Sequence, residues 1–163
     1  MVEKRRDRSR QPEIILGEVA AICASRHQTE PKVKLDQPGC LVVDYGLIGD
    51  AHAGLSERQI SLLSIEAIED LNREHQVGAR PGSFAENITT CGMDLSLLAM
   101  GQRLAIGEAI LEVVQVGKPT TVPHTYNFRG FSLLPTKGVF CKVVESGKVC
   151  HGDLIRLIQE QKG

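Results

Sequence analysis

Short apolar runs separated by glycine and proline turns recur along the whole chain, and this pattern restricts the fold more than any other feature. The runs at 14–23, 60–63 and 138–144 are rich in Val, Ile and Leu. The 16 glycines and 7 prolines supply turn signals between such runs. The pattern therefore predicts a mainly β fold with many turns and few helices.

The length of the chain predicts a single folded domain. With 163 residues and 42% hydrophobic content, the chain can form one sizeable core but not two comfortable ones. Residues 1–12 carry five basic side chains and little that could be buried, so we expect a disordered basic tail there. We place the domain at 13–158 and a frayed C-terminal tail at 159–163.

Composition argues against several classes of partner. The formal charge is −1, from 19 basic and 20 acidic residues, and aromatic residues make up only 4% of the chain. Neither value suits a nucleic-acid surface or a base-stacking platform. The sequence has no apolar run long enough to cross a membrane and no signal-peptide pattern at its start, so we expect a cytoplasmic protein. Five cysteines without a CxxC pair indicate reduced thiols.

One amphipathic helix is predicted after the apolar run at 60–63. Ser64 is a good N-cap residue, and Ile65, Ile68 and Leu71 then recur on one helical face before Gly78. A second pattern, 101–108 followed by 109–116, predicts a β-hairpin that turns at a Gly-Glu pair.

A glycine-framed polar loop at 46–54 is the first candidate for a site. Asp50 and His52 place a hydrogen-bond acceptor and a titratable ring on this loop, and Arg58 leads from it into the apolar run at 60–63. A loop at the end of a strand is a usual place for a binding site. The alternative is a plain turn in which Asp50 caps the backbone and His52 is solvated.

Two further segments carry candidate ligand contacts. Asn87 both donates and accepts hydrogen bonds and is the better ligand contact of the adjacent pair Glu86 and Asn87; we expect Glu86 to tie down a neighbouring loop. The loop after Gly117 is rich in polar groups that could converge on an oxyanion; these are Lys118, Thr120, Thr121 and His124. A lysine beside threonines is also ordinary loop composition.

The segment 31–34 leaves two interpretations open. Lys32 and Lys34 flank Val33 and could approach an anion. They are equally typical of the outward face of an edge strand, which we favour.

Six motifs together resemble a known family. They follow one another in the order and approximate spacing of the MOSC domain, named for the C-terminal part of molybdenum-cofactor sulfurase. The motifs are GDAHAG at 49–54, RQISLL at 58–63, PGSFAENIT at 81–89, GQRLAIG at 101–107, GK at 117–118 and GD at 152–153. The similarity extends over 17–157 and implies a closed β-barrel like the pyruvate kinase barrel domain, with a few short helices.

The resemblance also implies chemistry with sulfur and molybdenum. MOSC domains are associated with sulfur transfer and with the molybdenum cofactor, so cysteine desulfurases and molybdenum-cofactor enzymes are the implied partners. In the most similar subgroup a cysteine that follows the Gly-Lys pair carries the sulfur or ligates the metal. Thr120 stands at that position here. A threonine hydroxyl stays protonated at neutral pH and is a poor ligand for a soft metal.

Three hypotheses about function follow. Another thiol carries sulfur, for which Cys141 is a weak candidate because a buried core cysteine is the favoured interpretation of it. The pocket binds a molybdopterin-like or other anionic ligand without sulfur chemistry. Otherwise, the barrel is a non-catalytic module that binds a partner. A zinc site built from His52, His124, His151 and a cysteine is a further, weaker hypothesis.

Overall fold

The structure, a computed structural model, describes residues 13–28, 30–117 and 127–159. Its helices are α1 (Ile65–His75) and α2 (Leu134–Lys137), and Leu95–Leu97 forms a short 3₁₀ turn. The strands, numbered in chain order, are β1 (Glu13–Ala24), β2 (Val33–Lys34), β3 (Gly39–Val42), β4 (Gly46–Leu47), β5 (Ile60–Ser64), β6 (Ile88–Cys91), β7 (Arg103–Ile106), β8 (Ala109–Val116), β9 (Val139–Glu145), β10 (Gly147–Val149) and β11 (Leu154–Ile158).

Seven of these strands close into a barrel, in the order β1, β6, β5, β9, β8, β7 and β11, with β11 pairing back to β1. Strand β2 extends the sheet from β1, and β10, β3 and β4 form a separate small sheet. Neighbouring barrel strands are antiparallel except β5 and β6, which are parallel and are joined through α1. The predicted mainly β, closed-barrel fold with a few short helices is confirmed.

The barrel core is built by alternating side chains. Along β8, Ala109, Leu111 and Val113 are buried in the main core, and the residues between them are only partly covered. On β5, Ile60 and Leu62 belong to that core, whereas Leu63 belongs to a second cluster that includes Phe140 and residues of α1. Since successive strand side chains point to opposite faces, the second cluster marks the outer wall of the barrel.

Helix α1 begins and is capped as its sequence predicts. The Ser64 side chain accepts a hydrogen bond from the Ala67 backbone N–H at 3.1 Å, and Ile68 and Leu71 are the buried residues. The helix ends at His75, and the capping residue Gln76 has a left-handed backbone (φ 51°) and donates its N–H to the Asn72 carbonyl. The helix therefore packs its apolar side on the outer wall of the barrel.

The predicted tail at 1–12, and all but the first residue of the predicted tail at 159–163, lie outside the described residues. The described strands begin at Glu13 and end at Ile158. Across the described ranges, no helix combines the length and apolar character that a membrane-spanning helix requires.

Candidate functional site

Asp50 lies at the centre of a buried polar cluster beside the barrel. Its carboxylate accepts hydrogen bonds from the backbone N–H of Ser25 at 3.1 Å and of His52 at 3.3 Å. Gly49 reaches this turn with a φ of 87°, in the left-handed region that glycine adopts at low cost. The glycine-framed loop thus directs Asp50 inward, where the residue is only 7% exposed.

Lys32 is the counter-ion of Asp50, and sequence reasoning did not assign it to the site. Its ammonium Nζ lies 2.6 Å from Asp50 Oδ1, 3.0 Å from His52 Nδ1 and 3.4 Å from Ser25 Oγ. An ammonium group has three donors and no acceptor, so these three contacts use all of its hydrogen-bonding capacity. Lys32 is 3% exposed and therefore orients its neighbours from beneath the surface.

The turn at Gly82 seats the Lys32 backbone. The Lys32 N–H donates to the Gly82 carbonyl at 2.9 Å, and Gly82 has a φ of 90°. A Cβ atom at this position would lie 2.1 Å from the Lys32 carbonyl oxygen. Only glycine allows the two backbones to approach this closely.

The charge state of Asp50 follows from these contacts. Burial acts to raise the pKa of its carboxyl group, but hydrogen bonding to Lys32 and the charge of Lys32 outweigh it, and the pKa lies below the ordinary 3.8. Further hydrogen bonds from Ser25 and the Asn87 side chain lower the pKa as well. Asp50 is therefore ionised at neutral pH and paired with Lys32.

Asn87 joins the Asp50 cluster to the barrel wall. Its Oδ1 accepts from the Ser61 backbone N–H at 3.0 Å and lies 3.2 Å from Ser61 Oγ, and its Nδ2 donates to the Cys23 carbonyl at 3.3 Å. The same side chain lies near enough to Asp50 to lower the pKa of that carboxyl group. Asn87 is 2% exposed. The structure thus brings the predicted residues Asp50, His52 and Asn87 together.

Arg58 is linked to this cluster along the outer wall. Its guanidinium carbon lies 6.0 Å from the centre of the Phe140 ring, a cation–π distance, and Phe140 pairs with Ser61 between β9 and β5. Arg58 itself is exposed. Contacts therefore lead from Arg58 through Phe140 and Ser61 to Asn87, and Asn87 is joined to Asp50 through the backbone from Cys23 to Ser25.

The predicted residues of the polar loop lie outside the described residues; they are Lys118, Thr120, Thr121 and His124. The residues that flank this loop are described. Gly117 donates its N–H to the Gly138 carbonyl at 2.8 Å, and the ring of Phe128 packs edge-on against Phe84, with 5.9 Å between the ring centres. Gly138 directly precedes β9, the strand that carries Phe140. Phe84 lies three residues before Asn87.

Glu86 secures the turn before Asn87. Its Oε1 accepts from the Phe84 backbone N–H at 3.2 Å, and its Oε2 accepts from the Thr89 hydroxyl at 3.1 Å. Burial raises the Glu86 pKa to about 7, although backbone hydrogen bonds, that of Gly82 first among them, act to lower it. This position agrees with the predicted role of Glu86 in tying down a loop.

The cysteines near the site have poorly reactive thiols. Cys23 and Cys141 are both 0% exposed, and burial raises the pKa of each to about 12. The pKa of Cys91 is also raised, by burial and then by the charge of Glu66. A thiolate is the nucleophile and the metal ligand, and these environments disfavour it.

These residues do not fit a metal held by thiolate. Within residues 13–28, 30–117 and 127–159, no group of three or more His, Cys, Asp or Glu side chains is arranged to hold a metal ion. The zinc hypothesis also required His124, which lies outside these ranges.

A cavity of about 440 Å³ lies elsewhere on the barrel, between the β7–β8 turn and the start of β11. Its charged lining residues are Glu108, Lys148, Asp153 and Arg156. The opposite charges balance, and none of the predicted site residues lines it. We therefore place the candidate site at the Asp50 cluster.

Solved structures share this fold. The YuaD protein from Bacillus subtilis aligns with a TM-score of 0.67 and 21% identity, covering 93% of this chain and 100% of that one. YiiM from Geobacillus stearothermophilus aligns at 0.65 and 17% identity, covering 93% and 78%. YiiM from Escherichia coli aligns at 0.61 and 21% identity, covering 89% and 71%. No curated protein matches the sequence.

The barrel and the sequence around its polar cluster define the family. The MOSC domain model matches residues 49–156, about two thirds of the chain, from the Asp50 loop to β11. The chain belongs to the MOSC domain family, as its motifs predict.

Proposed function

We propose that this protein binds a small anionic ligand of the molybdopterin type, a pterin phosphate, on the outer wall of the barrel, and that it carries no sulfur. The observation that carries the proposal is the set of contacts that joins His52 and Asp50, through the backbone from Ser25 to Cys23, to Asn87, Ser61 and Arg58. MOSC membership supports the class of ligand. In this proposal His52, Arg58, Lys118, Thr120, Thr121 and His124 contact the ligand, and Asp50 and Asn87 position them.

The charge balance of the site supports an anion. Lys32 neutralises Asp50, so the cluster itself presents no net charge, and Arg58 adds an exposed cation beside it. Lys118 would add a second. Guanidinium and ammonium groups form charge-assisted hydrogen bonds with phosphate, and such bonds contribute about 1.5–3 kcal/mol each.

Calorimetric titration with hydroxymethylpterin phosphate tests this proposal. We expect the wild-type protein to bind, and we expect Arg58→Ala and Lys118→Ala each to weaken binding about 10- to 100-fold, since each removes one charge-assisted contact. Lys137→Ala is the matched control, because Lys137 is an exposed lysine on α2. Equal affinities for the wild type and both site variants would contradict the proposal, as would a wild-type protein that does not bind.

The missing thiol gives a second test. In sulfur transfer, a thiolate of the acceptor attacks the outer sulfur of a desulfurase persulfide; the acceptor leaves as the new persulfide and the desulfurase cysteine as a thiolate. We expect a cysteine desulfurase and labelled cysteine to leave no sulfur label on the five cysteines of the wild type. Thr120→Cys should acquire the label.

Thr136→Cys is the control for that experiment, since it adds an exposed cysteine on α2. Labelling of Thr120→Cys but not of Thr136→Cys supports a MOSC scaffold in which Thr120 has replaced the sulfur carrier. Labelling of Cys141 or of any other native cysteine would instead support the hypothesis that another thiol of this chain carries the sulfur. The alternative of a purely partner-binding barrel predicts no pterin phosphate binding in any variant.

A further inference from the structure

The His52 ring contacts the buried ion pair of Lys32 and Asp50. Its Nδ1 is 3.0 Å from Lys32 Nζ and 3.9 Å from Asp50 Oδ2, and its side chain is 40% exposed. The Lys32 and Asp50 side chains are 1% and 0% exposed. A buried charge pair directly beneath a half-exposed imidazole controls which ring nitrogen carries the proton.

Which ring nitrogen of His52 carries the proton depends on which partner donates in the hydrogen bond between Lys32 and His52. A lysine ammonium can only donate, so His52 Nδ1 must accept, and an accepting Nδ1 carries no proton. The proton of the neutral ring then resides on Nε2. An imidazolium would place an N–H donor against the ammonium at 3.0 Å, which like-charge repulsion disfavours.

The other Lys32 contacts fix its ammonium in place. Asp50 Oδ1 and Ser25 Oγ take its other two donors, and Asp50 also accepts from the His52 backbone N–H at 3.3 Å. The same carboxylate therefore positions both the backbone of His52 and the cation that contacts its ring. Neither Lys32 nor Asp50 needs to contact a ligand in order to affect binding.

We propose that Lys32 and Asp50 are positioning residues that hold His52 as its neutral Nε2–H tautomer, so that His52 donates a hydrogen bond to an oxygen of the bound ligand. The tautomer rests on the contact between His52 Nδ1 and the Lys32 ammonium, and the ligand contact rests on the proposed function. The site then recognises an acceptor oxygen at this point by hydrogen bonding, not by a full positive charge on the ring.

Nitrogen-15 NMR of the wild-type protein tests the tautomer without any ligand. In a long-range proton–nitrogen spectrum at pH 7, we expect His52 Nδ1 to resonate as an unprotonated nitrogen and Nε2 as a protonated one. The two nitrogen signals that disappear from the spectrum of His52→Gln are thereby assigned to His52. We expect Lys32→Met to abolish this pattern, because the donor to Nδ1 is gone. A protonated Nδ1 at pH 7 in the wild type overturns the proposal even if Lys32→Met does not fold.

Two isosteric variants test the ligand contact with hydroxymethylpterin phosphate. A glutamine amide nitrogen reaches close to the position of histidine Nε2, whereas an asparagine amide reaches close to that of Nδ1. We expect His52→Gln to retain affinity within about threefold and His52→Asn to lose about tenfold or more, the cost of one hydrogen bond to a charged group. If the two variants bind hydroxymethylpterin phosphate with equal affinity, His52 Nε2 does not donate to the ligand and this part of the proposal is wrong. A wild type that does not bind contradicts the proposed function and this contact, while the NMR spectrum still decides the tautomer.

Discussion

Replacing Lys32 with methionine is expected to lower the free energy of unfolding by about 3–5 kcal/mol at pH 7. Methionine has a similar length but leaves the Asp50 carboxylate, whose side chain is 0% exposed, without its counter-ion. The cost should shrink at acid pH. In the wild type the lowered Asp50 pKa means that ionised Asp50 stabilises the fold above its ordinary 3.8, and this contribution is lost as the pH falls through the folded-state value. Without Lys32, burial dominates and the carboxyl group protonates more readily. Urea unfolding at several pH values measures the change.

An exposed ion pair supplies the matched control for that prediction. Arg73 and Asp70 pair on the surface of α1, with side chains that are 73% and 58% exposed, so Arg73→Met should cost no more than about 1 kcal/mol. The double variant of Lys32→Met with Asp50→Asn should be less destabilised than the sum of the two single changes, because it leaves no unpaired charge. Equal costs for Lys32→Met and Arg73→Met would show that the buried pair is not a strong constraint on the fold.

Most of the barrel could be predicted because its signals are local. The strand β1, the hairpin of β7 and β8, and the capped helix α1 each follow from residues that are close in sequence. Barrel closure could not be read from the residues alone. It depends on the pairing of β11 with β1, which joins the two ends of the domain, and only the resemblance to MOSC domains predicted it.

The site was predicted in part, and Lys32 shows why the rest was missed. The favoured edge-strand interpretation of 31–34 is correct for Val33 and Lys34, which form an edge strand beside β1 with Val33 69% exposed. It is wrong for Lys32, which is 3% exposed and turns inward to an anion. That anion is Asp50, 18 residues further along the chain. Residue type normally predicts an exposed lysine and a buried valine, and here the tertiary contact reverses both.

The charge state of a buried acid also depends on tertiary contacts, which the sequence alone does not predict. Sequence alone predicts that Glu86 anchors a loop, but its protonation depends on the chain that covers it. The hydrogen bonds of Glu86 come from residues within four positions of it, whereas its burial comes from the packing of the whole turn against the barrel wall. Asp50 and Glu86 are both nearly inaccessible, yet their pKa values shift in opposite directions because only Asp50 has a cation beside it.

Glu86→Gln is expected to remove a fall in stability between about pH 5 and pH 8. Burial raises the folded-state pKa of Glu86 from the ordinary 4.5 to about 7, so the folded protein binds more protons than the unfolded chain across that interval. Stability must therefore decrease as the pH rises from the unfolded value to the folded value, and then stay level. The whole shift corresponds to about 3 kcal/mol. Urea unfolding from pH 5 to pH 8 should show about 2–3 kcal/mol of this loss in the wild type and little of it in Glu86→Gln.

Glutamine is a suitable test because it preserves the local hydrogen bonds. Its carbonyl oxygen can accept from the Phe84 N–H and its amide can donate to the Thr89 hydroxyl, so the variant removes the titration and keeps the anchor of the turn. Glu69→Gln is the control, since Glu69 is exposed on α1 and its replacement should leave the pH dependence of the wild type intact. Asp50 does not obscure the measurement, because its lowered pKa places its own transition below this interval. A Glu86→Gln profile that falls as steeply as that of the wild type would mean that Glu86 is ionised in the folded protein throughout, with the backbone donors of its turn replacing the missing cation.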